Sequence, residues 1–129
     1  MKFKYTILYV DDVVETFSFY EKAFGLKKKM LHESEEYGEL DTGSTTLSFS
    51  SHKLMKELGK NPAKPDLKAP TFEIAFETDN VKTALSKALE AGASLVQDAT
   101  DMPWGQTIAY VTENNGFLVE ICTPVAPQA

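Results

Sequence analysis

Two glutamates sit inside otherwise apolar, strand-like runs. Glu73 is flanked by Phe72 and Ile74, and Glu120 by Val119 and Ile121. Side chains along a strand alternate between faces, so Glu73, Ala75 and Glu77 share one face, and Leu118, Glu120 and Cys122 share another. If both faces line one cleft, the two carboxylates cannot both stay ionised cheaply. Either one keeps its proton with a raised pKa, or a cation (a metal or a charged ligand) sits between them. Exposed strand glutamates are common, and Glu77 is expected to be one. Trp104 lies beside Gly105, after Asp101-Met102-Pro103. It is either an aromatic wall for a ligand or a lid over the sheet edge, and Asp101 is a candidate rim acid for a cationic ligand. Cys122 is the only cysteine, which excludes an internal disulfide and a Cys-rich zinc site. With no histidine in reach to activate it, it is expected to be an inert apolar residue. A phosphate-binding glycine loop, a nucleophile elbow and a zinc-protease helix motif are all absent.

Charge narrows the ligand further. Nineteen acids against thirteen bases give a net charge of −6, a balance that repels nucleic acid and anionic lipid. All the bases are lysine and none is arginine, so a bidentate arginine clamp on a carboxylate or phosphate is excluded. Lysines could still hold an anion as point charges, which demotes anionic substrates without removing them. Lys27-Lys28-Lys29 reads as a solvated element end. The longest apolar runs, Ile7 to Val10 and Ile108 to Val111, are four residues each, against about 20 for a membrane span. The N-terminus reaches Asp11 and Asp12 before a signal-peptide core forms, so a cytoplasmic location is expected. At 129 residues, 43% hydrophobic and 25% charged, the chain fits one globular domain.

The elements that must position these residues recur in order. Lys4 to Val10 reads as a strand, Asp11 or Asp12 as a helix cap, and Val13, Phe17, Tyr20 and Phe24 as one helix face closed by Gly25. Strands at Lys27 to His32, Glu36 to Asp41 and Thr45 to Ser50 follow, then one or two helical turns over Lys53 to Leu58. Pro62, Pro65 and Pro70 make the next stretch a connector. After it, Phe72 to Thr78 reads as a strand, Asp79 or Asn80 as the cap, and Val81, Ala84, Leu85, Ala88 and Leu89 as a helix stripe ended by Gly92. Strands at Ser94 to Gln97, Ile108 to Thr112 and Phe117 to Cys122 complete the series. A shift of about 67 to 68 residues superposes the halves. It sets Thr6, Leu8 and Val10, a helix-facing row, against Ile74, Phe76 and Thr78, and Gly25 against Gly92. Phe49 is expected to face the helices.

Pro103-Trp104-Gly105-Gln106, Ala109-Tyr110-Val111 and Asn115 through Glu120 resemble the closing hairpin of bleomycin-resistance-like proteins. Val10-Asp11-Asp12, Phe19-Tyr20 and Phe24-Gly25-Leu26 resemble the same proteins' opening strand and helix. The chain thus resembles the vicinal oxygen chelate superfamily of glyoxalase I, bleomycin resistance proteins and extradiol dioxygenases. The resemblance implies an α+β fold of two βαβββ modules, residues 1–60 and 70–124, joined by a connector at 61–69 and followed by a tail at 125–129, all in one domain around a cleft. It also implies a homodimer. In metal-dependent members four strand positions supply ligands, and these fall here on Tyr5, Ser48, Glu73 and Glu120. Histidine is usual at the first and third; here they are Tyr5 and Glu73, and His32 and His52 occupy neither register. Imidazole suits Ni²⁺, Zn²⁺ and Fe²⁺, and an all-oxygen set the harder Mg²⁺ or Mn²⁺. The expectation is therefore a small-molecule binder without the standard metal, its cleft lined by Tyr5, Ser48, Glu73, Trp104 and Glu120. The alternative is a metal-dependent lyase, isomerase or dioxygenase in which Glu73 and Glu120 hold Mn, Mg, Ni or Zn.

Overall fold

The protein is described through a computed structural model covering residues 1–125. It comprises two compact units, Met1–Lys64 and a second beginning at Pro65. The division falls within the expected connector. Each unit has the βαβββ order, and the fold is α+β.

In the first unit β1 (Tyr5–Val10) leads into α1 (Val13–Phe24), then β2 (Lys27–Leu31), β3 (Tyr37–Asp41), β4 (Thr46–Ser51) and the short α2 (His52–Glu57). The sheet order is β1-β4-β3-β2; β1 runs parallel to β4 and the other pairs are antiparallel. The second unit repeats this with β5 (Glu73–Glu77), α3 (Val81–Glu90), β6 (Ser94–Asp101), β7 (Thr107–Thr112) and β8 (Leu118–Cys122) in the order β5-β8-β7-β6. The parallel pair is now β5 and β8. A tight turn reverses the chain and joins only antiparallel strands, so each parallel pair is linked by a longer connection, here one helix and two further strands.

Each helix starts where a short polar side chain captures an orphan amide. Asp12 accepts from the Glu15 N–H at 3.0 Å, and Asn80 from the Thr83 N–H at 3.1 Å. The sequence left the caps open between neighbours; Asp12 and Asn80 are the ones used. Gly25 ends α1 at φ 70° and returns its N–H to the Glu21 carbonyl, a left-handed conformation that glycine adopts without penalty. Leu8, Val10 and Phe49 are buried against the helix side as expected.

Strand β6 corrects the sequence reading. It continues past Gln97 to Asp101, because its pairing with β7 slips between Leu95 and Gln97 and again between Gln97 and Thr100. These irregularities destroy the period-two pattern by which a strand is recognised. Asp101, the candidate rim acid beyond the expected strand, ends this strand and accepts a 2.8 Å hydrogen bond from the Thr107 hydroxyl. Of the expected tail, residues 126–129 lie outside the described residues.

Candidate functional site

On the second sheet, register decides what meets what. Glu120 pairs with Ala75 on one side and Tyr110 on the other, while Glu73 and Glu77 flank Ala75 on β5. Glu73, Glu120 and Tyr110 therefore share the face turned away from α3, where the backs of the same strands bury Ala109, Val111, Val119 and Ile121.

Glu120 and Tyr110 are directly paired, and Glu73 lies two residues from Ala75, the partner of Glu120 on β5, so the three polar side chains are neighbours on this face. Burial, with the negative charge of Glu73, lifts Glu120 above the ordinary carboxylate range. Burial and the two glutamate charges likewise raise Tyr110, and burial with the charges of Glu120, Glu77 and Glu73 raises the Cys122 thiol. That thiol lies 3.6 Å from the Phe76 carbonyl, in a buried position that disfavours the thiolate.

The first sheet carries a different set. Ser48 lies opposite Ile7 on β1 and Glu39 on β3. Its side chain is fully buried, and its hydroxyl lies 3.4 Å from the Thr6 carbonyl. Tyr37 donates to Glu39 Oε2 at 2.8 Å. Burial raises the Tyr37 pKa, Ser48 partly offsets this, and Glu39 adds to it by hydrogen bond and charge. Tyr5 shares this face and is 44% exposed.

Trp104 stands in the β6–β7 hairpin turn, 59% exposed, and so does not act as a lid over the core. Its indole N–H donates to Gln106 Oε1 at 2.8 Å, and Gln106 Nε2 donates to the Thr123 carbonyl at 2.8 Å, which fixes the ring's orientation. A polar cavity of about 290 Å³ opens at the start of α3 between Asp79, Lys82, Asp101, Thr107 and Thr123; Glu73, Tyr110 and Glu120 are not among its walls.

The residue reading missed Tyr37, Glu39 and Tyr110. Each lies directly across a strand from, or two residues along from a partner of, a residue singled out, so the alternation rule applied to all three strands would have found them. It also missed Glu113, a buried carboxylate that accepts from the Asn115 and Phe117 amides at 2.6 and 3.0 Å and so shapes the β7–β8 turn.

The four positions where the resemblance places metal ligands thus present a phenol, a buried hydroxyl facing a backbone carbonyl, and two carboxyl groups on one sheet face. Among the described residues, no group of three or more His, Cys, Asp and Glu side chains is placed to hold an ion. This donor set does not fit the imidazole-bearing metal centre of the metal-dependent relatives. No helix among the described residues is long and apolar enough to cross a membrane.

Comparison with known proteins agrees with this architecture. A lactoylglutathione lyase of Escherichia coli O157:H7 is 27% identical over 124 residues, spanning 94% of this chain and 91% of that protein. A glyoxalase-related enzyme from Fulvimarina pelagi superposes with a TM-score of 0.81 at 19% identity, covering 96% of this chain and 88% of the other. A glyoxalase/bleomycin resistance protein/dioxygenase family enzyme from Burkholderia phytofirmans PsJN superposes at 0.80 with 20% identity, covering 98% and 100%. Residues 3–126 match the glyoxalase-like domain, and the chain belongs to that family.

Proposed function

We propose that this glyoxalase-like protein binds a small cationic or neutral, partly aromatic molecule and holds it by complementarity, in the manner of the bleomycin-resistance-like branch and without the standard metal. The supporting observation is the carboxyl pair. Glu120 and Glu73 share one face of the second sheet, where burial and the Glu73 charge lift Glu120 above the ordinary carboxylate range, and a ligand cation placed beside them gains two carboxylates at once. Tyr5 and Trp104 are the further residues assigned to ligand contact, and Ser48, fully buried, belongs to the closed floor of the first sheet's face. The chain acts as a single domain, in the cytoplasm, as a homodimer. Replacing Glu120 by Gln should weaken binding of cationic aromatic compounds by about tenfold, corresponding to one charge-assisted hydrogen bond, and leave the fold intact by circular dichroism. Unchanged affinity would overturn the assignment.

A second reading draws on the similarity to a lactoylglutathione lyase: a metal-dependent lyase, isomerase or dioxygenase with an oxygen-rich site at Glu73 and Glu120. Plasma mass spectrometry of protein purified without a metal-affinity tag separates the two. Substoichiometric metal, with no melting shift on adding Mg²⁺, Mn²⁺, Ni²⁺ or Zn²⁺, is expected on the first reading. Near-stoichiometric metal with a specific shift would establish the second.

A further inference from the structure

The first sheet's face has a construction that the carboxyl pair does not explain. Its central strand β4 presents only small hydroxyl side chains on that face, Thr46, Ser48 and Ser50, and all three are buried. On one side β1 raises Tyr5 and Tyr9; on the other β3 raises Tyr37 and Glu39, which lie opposite Ser50 and Ser48. Two strand spacings, about 10 Å, separate these walls. A visitor meets the walls, because the floor is closed to water.

Both tyrosines of β1 already hold a cation. The Lys4 ammonium stands 5.9 Å from the Tyr5 ring centre, and that of Lys60 stands 5.5 Å from the Tyr9 ring centre. The facing carboxylate, Glu39, is half-buried and accepts the Tyr37 hydroxyl. It has no cationic partner in the structure, for the ion pairs found among the described residues are those of His52 and Lys64 with Asp11. Two rings that attract ammonium groups, facing a carboxylate that lacks one, have the composition of an organic-cation site. The lysines are weak occupants: an exposed ammonium over a ring gains little and loses much rotamer freedom.

We infer that the face of the first sheet is a recognition site for an organic ammonium group, with Tyr5 and Tyr9 as its aromatic wall and Glu39, oriented by Tyr37, as its counter-charge. The inference rests on the reading of the chain as a small-molecule binder. It adds a cation position at Glu39 on the first sheet to the one proposed at Glu73 and Glu120 on the second.

Choline and its neutral isostere 3,3-dimethylbutan-1-ol test it in an amide ¹H–¹⁵N titration of the full chain. Choline should give saturable shifts in β1 and β3, with the neutral isostere weaker by about tenfold. Glu39→Gln should reduce choline affinity by about the same factor, while Glu90→Gln, an exposed carboxylate on α3, should leave it within about twofold. Glu39→Asp keeps the charge and should retain most of the binding; a loss in Glu39→Gln with retention here separates lost charge from a disturbed sheet. Equal affinity for the two compounds, undiminished binding in Glu39→Gln, or no saturable shift at all would overturn the inference. So would shifts confined to β5, β7 and β8 and abolished by Glu120→Gln, an outcome that would support the carboxyl-pair site alone.

Discussion

The two units share an order of elements and differ at nearly every position that order makes equivalent. On the helix side, the first unit packs rings. Phe17 meets Phe49 edge-on at 5.7 Å between centroids, and Tyr20 lies 4.9 Å from Phe49. The second unit packs small aliphatic groups there, with Val81, Leu85 and Ala88 of α3 buried over Ala109, Val111, Val119 and Ile121. On the opposite side the contrast reverses. The first sheet has small hydroxyls on its central strand and puts its carboxylate, Glu39, on a neighbour. The second carries its carboxylate, Glu120, on the central strand and a tyrosine, Tyr110, where the first has Glu39. Each face still sets a tyrosine beside a glutamate, Tyr37 with Glu39 and Tyr110 with Glu120. The repeat has kept the chemistry of a phenol and a carboxylate while moving the residues that supply it. One backbone plan therefore tolerates two solutions, provided each core fills its own volume.

The difference in cores gives the largest expected effects. Phe49→Ala removes the hub of the ring cluster and should cost about 3–5 kcal/mol, against about 2–3 kcal/mol for Leu85→Ala among smaller neighbours, both read by urea unfolding. The reverse order would mean that the aromatic core is the looser one. Next comes the pair Gly38 and Ala109, which occupy matching places opposite Phe49 and Ile121. A Cβ at Gly38 would run into the ring of Phe17, so Gly38→Ala should cost about 1–3 kcal/mol by overpacking. Ala109→Gly meets no such conflict and should cost about 1 kcal/mol through strand entropy. A neutral Gly38→Ala would show that Phe17 can move aside.

The smallest effect is a pH dependence confined to the second unit. Glu120 is held above its unfolded pKa, so the folded state keeps a proton that the unfolded chain has released. Its contribution is fully present below the unfolded carboxylate pKa, about 4.3, and is lost as pH rises through the higher folded value. Glu120→Gln does not titrate, so its melting temperature should gain on the parent protein between pH 4 and pH 8. A constant offset across that range would remove the retained proton from the account.

Much of the fold is legible in the residues because its signals are local. The caps at Asp12 and Asn80, the glycine after α1 and the apolar stripes each depend on a few neighbours in sequence. Strand β6 is not legible beyond Gln97, since its irregular pairing with β7 breaks the alternation that would have announced it. The site divides in the same way. Glu73 and Glu120 stand out because a charge in an apolar run is visible locally. Tyr110 and Glu39 become site residues only through what lies across the neighbouring strand, which register decides and no local window contains.

Glu113 bears on how the molecule ages. Asn115-Gly116 is a sequence prone to spontaneous deamidation, in which the glycine nitrogen attacks the asparagine side-chain carbonyl and closes a succinimide. Here the Gly116 N–H is committed to the Glu113 carbonyl at 3.0 Å, and the Asn115 amide is held by Glu113 Oε2 at 3.0 Å. The attacking nitrogen and its target are thus both restrained while the hairpin stays folded. Isoaspartate should accumulate slowly in the native protein on warm storage and several times faster in Glu113→Ala, by peptide mapping; equal rates would show that the turn gives no protection. The carboxylate that shapes this turn then also sets a chemical shelf life, and local opening of the hairpin is the clock.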